Sequence, residues 1–410
     1  MNFNEGQTNP APEEMQTPEE LPFDPNYDFH SEQNFVATTH KWPAPHLIFA
    51  LCFALVMAIL AFRFEPSPGM DLARYYATIE SGNLSQYSVD AYGDAAYADI
   101  VVAEVMSFLV RHNISSHFLG AICGFIHFFL LAKIASLWSG KVTASNSIYP
   151  LFIVLFLSGF LLGFTGVRQS LANQCFILGV IYWDFGDKKR AAIFSILSPL
   201  IHFSLIPIVC LFWVANLSSK KLAYAISGAL CVAGLLFYQI VNVIQAIFSR
   251  IGGIFSAISS KIDSYIFNAA AGEGFIGVVK AAWTGDERYI DSCYWAGSRW
   301  WVAQSFWIVG CTALLIVFKQ REIKLSFLKD SCTKFLFMLF GYCVFTFQAP
   351  AIPLRSFGLI KTLGILAIFP LAFRYRKPFA VLVIAVLLAF GLLANFSGKE
   401  ILQLLRGGRL

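Results

Sequence analysis

From residue 44 onward the chain is a succession of long apolar runs separated by short polar connections, the pattern of a chain whose solvent is hydrocarbon. The first run, 44–62, is apolar on every side and long enough to cross a bilayer. Further spans are predicted near 116–138, 148–164, 168–184, 191–201, 203–217, 222–244, 301–318, 331–348, 356–373 and 378–396. The stretch 191–217 carries Pro199 and Pro207 on either side of His202. It reads as two short or broken helices meeting at that histidine, with one tilted span as the alternative, and the parity of everything downstream follows from the choice. The expected fold is an all-α polytopic membrane protein of about eleven transmembrane helices, within bounds of about 10 and 12.

Basic turns set the orientation. Lys188, Lys189 and Arg190; Lys220 and Lys221; Lys319, Arg321 and Lys324; and Arg374, Arg376 and Lys377 are expected on the cytoplasmic side. Two longer connections then fall outside, 63–115 and 245–300. The first contains ADIVVAEVMSFLVRH, an amphipathic stretch too short to span that carries Glu104 and reads as a re-entrant or interfacial helix. The transmembrane domain runs over 44–396. The tail 397–410, with Lys399, Arg406 and Arg409, falls outside against the positive-inside tendency, and this leaves the span count open by one. Residues 1–43 lack periodicity and contain several prolines, so they are expected to form a disordered cytoplasmic tail. No basic segment followed by a short apolar run opens the chain, which argues for a retained first span. No internal repeat is evident, which weakens an inverted-repeat transporter reading.

Composition agrees with the pattern. Hydrophobic residues make up 57% of the 410 and charged residues 13%, where a soluble domain carries about 25% charged. The net charge of +5 conceals an asymmetry. Glu5, Glu13, Glu14, Glu19, Glu20, Asp24, Asp28 and Glu32 face only Lys41 in the tail, so the rest of the chain is more basic than the total suggests. That excess sits in short loops, which argues against a nucleic-acid partner. Cysteines lie within apolar runs except Cys293, so neither a disulfide framework nor a metal pattern is expected.

Arg168 is the most informative position, with mostly apolar sequence on both sides in GFLLGFTGVRQSLANQCFILGV. An arginine at membrane depth faces a cavity, a partner or an anion, or else snorkels to a helix end. The run GFTGVRQSLANQCFILGVIYW followed by DKKRAAIFSILSPLIHFSLIPIV resembles the core signature of EpsG/Wzy-type polysaccharide polymerases. Arg168, Gln169, Leu171 and Ala172 match its first part; Lys188, Lys189, Arg190, His202 and Ser204 match its second. Arg168 and Gly179 also show the Arg-x10-Gly spacing of periplasmic loops in O-antigen polymerases. MDLARYYATIE resembles the family's early loop through Asp71, Arg74, Tyr75 and Tyr76, and Arg355 resembles its later arginine. The acidic tail departs from the pattern, and Glu104 matches an acidic position only loosely.

The resemblance implies a bacterial inner-membrane enzyme with its site facing the periplasm. It would transfer a growing glycan from undecaprenyl diphosphate to the terminal sugar hydroxyl of another lipid-linked repeat. Such chemistry needs cations where the diphosphate leaves, a role for Arg168 and Arg355 with Gln169 beside them. It also needs a proton acceptor: His202 first, with Glu104 and Asp71 as rivals. Direct attack would invert the anomeric carbon, and no metal triad is evident, so a metal-independent reaction without cofactor is expected. A chain-length regulator and a flippase are the implied protein partners. The alternatives are a ligase-like glycosyltransferase and a transporter of lipid-linked oligosaccharide.

Each residue also has a plainer role. His202 between its prolines could bond a freed carbonyl. Asp71 and Arg74, three apart, could be an ordinary helix pair beside Tyr75. Arg288 and Arg299 with Tyr289, Tyr294, Trp295, Trp300 and Trp301 could bind sugars or form an interfacial belt. His112, His117 and His127 lack metal-ligand spacing.

Overall fold

A computed structural model describes residues 42–66, 71–84, 100–142, 148–159, 163, 166–251 and 330–349, with isolated positions at 280 and between 352 and 385. All regular structure among the described residues is helical. Among the described residues three helices are long and apolar enough to cross a membrane, Ala44–Phe62, His117–Ser139 and Lys220–Ile251, with shorter apolar helices at Phe203–Leu217 and Lys334–Gln348. The predicted spans 301–318 and 378–396 lie wholly or mostly outside the described residues, as do the two tails, so the count of eleven is not fixed here.

Helix α1 (Ala44–Phe62) turns one stripe inward, Ala50, Ala54, Met57 and Ala61, and leaves Ile48, Leu55 and Ile59 exposed. Small residues on that stripe let the backbones of α1 and a later helix, His117–Val142, come close: a Cβ at Gly124 would lie 3.0 Å from that of Ala61. Phe49 and Phe53 reach across this seam to Phe128, Phe152 and Phe156 in edge-on contacts, which explains part of the chain's phenylalanine content.

The predicted loop 63–115 contains two helices, α2 (Asp71–Ser81) and α3 (Ile100–Arg111). Each buries one face at helical spacing: Leu72, Tyr75, Tyr76 and Ile79 in α2, and Val102, Met106 and Leu109 in α3. Both pack against the far ends of the bundle helices. Tyr76 meets His117 at 4.8 Å, and Ser116 donates to Glu80 at 2.7 Å. They roof the end of the bundle opposite the basic turns.

Beneath the roof run α4 (His117–Val142), α5 (Tyr149–Gly159) and α6 (Val167–Asp184). Helix α6 is buried along nearly its whole length and so tolerates Ser170, Asn173 and Gln174 that lipid would not. It ends in a Schellman turn, with Gly186 at φ 87° and Asp187 N–H bonded to the Tyr182 carbonyl. Asp187 then caps α7 (Lys188–Ile201) by accepting from the Arg190 N–H at 3.0 Å. The α6–α7 hairpin is tight because residue 179 has no side chain. A Cβ there would lie 3.1 Å from the Ser195 nitrogen and 3.2 Å from the Ala191 oxygen.

Helix α7 stops at His202, which is extended (φ −150°, ψ 111°), and a 3-10 turn Phe203–Leu205 leads into α8 (Ile206–Leu217). Trp213 returns to within 5.3 Å of Trp183, so α8 comes back to the basic end. The reading as two short helices therefore holds. At about 21 and 18 Å, neither crosses the roughly 30 Å of hydrocarbon.

Helix α9 (Lys220–Ala233) continues through a 3-10 turn into α10 (Phe237–Ile251). Helix α11 (Asp330–Phe345) lies parallel to α9, tied by Lys334 to the Ser218 carbonyl at 2.5 Å and by Ser227 to the Phe337 carbonyl at 2.6 Å. Its own 3-10 end, Thr346–Gln348, meets the break in the partner helix, where Gln348 donates to the Gly234 carbonyl at 2.7 Å.

Candidate functional site

Trp138 of α4 stacks on Phe185 at 6.2 Å and ties α4 to α6 at the basic end. At 1.5 Å per residue from that tie, His117 lies about 32 Å along α4 and Arg168 about 26 Å along α6. Arg168 thus stops about one turn short of the far end of α4, in a recess under the roof. Helix α6 begins with Gly166 as N-cap and no side-chain cap, so its positive dipole end opens into the same recess.

The roof holds Arg168 in place. Its side chain is 18% exposed, its Nη2 lies 3.6 Å from Asp71 Oδ2, and its guanidinium carbon sits 4.9 Å above the ring of the buried Tyr75. Asp71 Oδ1 also takes Arg74, so one carboxylate bridges two guanidiniums. The pairing with Arg74 is the ordinary (i, i+3) helix pair; the link to Arg168, from a helix remote in sequence, is the addition. Next to Tyr75, burial and then the Glu65 carboxylate hold the Tyr76 phenol well above its ordinary range.

The second half of the site comes from the α7–α8 break. Ser204 donates to Gln169 Oε1 at 3.3 Å, and Gln169 donates in turn to Asn173 at 3.0 Å. This chain of amides and a hydroxyl joins the two sequence blocks, RQ and His-x-Ser, at one place. His202 is buried; its N–H bonds the Ser198 carbonyl and its own carbonyl accepts from Leu205.

Asp71, Arg74, Tyr75, Arg168, Gln169 and Ser204 therefore meet, with His202 at the adjoining break. Glu104 points away from its helix's buried face, 72% exposed, with Arg111 at 3.6 Å as its partner. Arg288, Arg299 and Arg355 lie outside the described residues. Gly179 is inside α6, where it serves close helix packing and belongs to no loop. Among the described residues, no three His, Cys, Asp or Glu side chains are grouped to hold a metal ion.

His127 enters the sequence reading only as a histidine without metal-ligand spacing. His127, in the middle of α4, is 1% exposed, and its ring lies against the backbone of Ser170 in the first turn of α6. An ionisable residue at that depth was the available signal.

Several apolar helices, a polar cluster at helix breaks and an amphipathic roof define a multi-pass, all-helical membrane protein. The family model of the EpsG family matches residues 46–405. The chain belongs to the EpsG family, a family of Wzy-type polysaccharide polymerases and exopolysaccharide biosynthesis proteins. No curated protein and no solved structure gives a significant match.

Proposed function

We propose that the chain is a polymerase that moves a glycan from undecaprenyl diphosphate onto the terminal hydroxyl of a second lipid-linked repeat. The observation that carries this reading is Arg168 at the open N-terminus of α6, oriented by Asp71 and Tyr75 and joined to the His202 break through Gln169 and Ser204. A guanidinium and a helix dipole end converging in a recess favour an anion. In the step itself the acceptor oxygen forms a bond to the anomeric carbon while the carbon–oxygen bond to the diphosphate breaks. The leaving diphosphate takes the electron pair, and its growing charge is met by Arg168. His202 accepts the proton of the attacking hydroxyl. Attack opposite the leaving group inverts the anomeric carbon.

Asp71 has both oxygens on guanidiniums, which suits orienting Arg168 better than removing a proton. Glu104, exposed on α3, is less well placed for that role. Arg355, Arg288, Arg299 and Arg74 remain candidates for further contact with phosphate or sugar. The charge stabilisation is supplied by protein cations, so the reaction is proposed as metal-independent. The basic turns at the opposite end of the bundle support a recess facing the periplasmic side of the bacterial inner membrane. A flippase supplying the repeats and a chain-length regulator are the partners this chemistry calls for.

The test is reconstitution in liposomes with undecaprenyl-diphosphate-linked repeats and EDTA. A product ladder lost in Arg168→Ala is the expected result. No ladder from folded wild-type protein with its native repeat overturns the proposal.

A further inference from the structure

Helix α4 carries one stripe that faces away from the bundle. Phe118, Ile122 and Ile126 are exposed at four-residue spacing, the half-buried Phe129 follows, and Lys133 continues the same line toward the basic end. The stripe stays apolar until it meets an ammonium, the order in which lipid tails give way to a charged headgroup. From Ile122 to Lys133 the rise is about 16 Å, close to the half-thickness of the hydrocarbon layer, about 15 Å. Lys133 is also level with the start of α1, because one turn further on Ser136 hydrogen-bonds His46 Nδ1 at 2.8 Å.

Trp42 fixes the lysine at that depth. The ammonium lies 5.4 Å from the centre of the indole, which packs against Phe129 at 5.0 Å. Among the described residues no carboxylate or carbonyl accepts from this half-buried ammonium. The charge that acts on it is another cation, Arg190 of the α6–α7 turn, which repels it. Arg190 is propped over the Tyr182 ring at 5.5 Å, with Asp187 3.4 Å from its Nε. Two cations from helices remote in sequence share that one carboxylate, so a positive charge is left over at headgroup depth.

We propose that Lys133 and Arg190, with Trp42 holding the lysine, bind the phosphodiester of one anionic phospholipid in the leaflet at the basic end of the bundle. The ammonium and the guanidinium take the phosphate oxygens, and an acyl chain lies along Phe129, Ile126 and Ile122. The anion relieves the repulsion between the two cations and ties α1, α4 and α7 together at one point. Phosphatidylcholine is a poorer ligand, since its quaternary amine brings a further positive charge. The site lies at the opposite end of the bundle from Arg168 and does not depend on the reaction.

The experiment titrates the detergent-solubilised full chain with dioleoyl phosphatidylglycerol, counting retained lipid by native mass spectrometry and following the melting temperature alongside. Dioleoyl phosphatidylcholine has the same tails, and glycerol 3-phosphate has the headgroup chemistry without them. The expected result is one phosphatidylglycerol held about tenfold or more tighter than phosphatidylcholine, with a rise in melting temperature and no competition from glycerol 3-phosphate. Lys133→Gln and Lys133→Met lose this preference, Arg190→Gln weakens it about threefold or more, and Lys133→Arg keeps it within about threefold. Lys189→Gln, at the exposed neighbour in the basic turn, changes it by less than about twofold. If one Lys133 variant does not fold, the other and Arg190→Gln carry the comparison. Equal losses in Lys189→Gln and the Lys133 variants show diffuse surface charge and overturn the proposal. Equal retention of the two lipids by wild type overturns it as well, and glycerol 3-phosphate binding as tightly as the lipid gives the site to a soluble anion instead.

Discussion

If Asp71 orients Arg168, replacing it with asparagine costs a defined amount. The two groups are 3.6 Å apart, with Arg168 18% and Asp71 36% exposed. Coulomb attraction at that distance is about 5 kcal/mol at an effective dielectric of 20 and about 1 kcal/mol in water. A carboxylate exposed by a third belongs near the lower figure, and asparagine keeps one acceptor for the guanidinium, so about 1–2 kcal/mol of positioning is lost. Initial rates of polymer formation in liposomes should therefore fall about 5- to 30-fold in Asp71→Asn. Loss of a general base costs up to about 10⁴-fold. In the Arg168→Ala background the Asp71→Asn change should add little, because its effect passes through the missing arginine. A fall beyond about 10³-fold in the single variant would show that Asp71 moves the proton itself. A fully additive double variant would break the argument from the other side.

Other outcomes follow from contacts away from the reaction. Gly120→Val places a side chain against the Tyr76 hydroxyl, lifts α2 and should reduce the polymerisation rate about tenfold or more, with the helical circular dichroism signal unchanged. Gly179→Leu forces apart the α6–α7 backbones and should lower stability by about 1–3 kcal/mol, read as a loss of melting temperature in detergent. Tyr76→Phe removes a hydroxyl with no hydrogen bond among the described residues and should be neutral or slightly stabilising at pH 7. Because burial pushes the pKa of that phenol up, the wild-type contribution is intact below the ordinary tyrosine range and is lost as pH rises above it. The phenylalanine variant should therefore lose less stability in an alkaline titration.

Much of the scaffold was legible in the chain. Residues 44–62 are apolar all round, as lipid demands of a peripheral span, and two prolines around His202 announced the hairpin break. The RQ and His-x-Ser blocks stood out through their resemblance to one family signature, and Ser204 and Gln169 do meet. What escaped were features made by long-range packing. Helix α2 is short, and of its five buried positions two are tyrosines and one is Thr78, set among charges, so its apolar face does not stand out. The Asp71–Arg168 contact exists only because that helix is laid over α6. The spacing from Arg168 to Gly179 suggested a loop motif, whereas the glycine answers to the backbones of Ala191 and Ser195. The orientation of Glu104 was readable, since Val102, Met106 and Leu109 define a face that excludes it.

The turn at His202 also bears on the surrounding lipid. Ile193, Ile196, Leu200 and Ile206 point outward on the two arms of that hairpin, so these half-depth helices form part of the boundary with the acyl chains. A wall about 21 Å tall in a hydrocarbon layer of about 30 Å is a hydrophobic mismatch, met by local thinning of the bilayer. Thinning at that one side would lower the headgroup plane toward the recess and, on the polymerase proposal, bring a lipid-linked substrate's headgroup level with Arg168. The same protein placed in bilayers of increasing acyl length would have to compress more lipid at this wall, so on that proposal membrane thickness itself becomes a brake on the reaction.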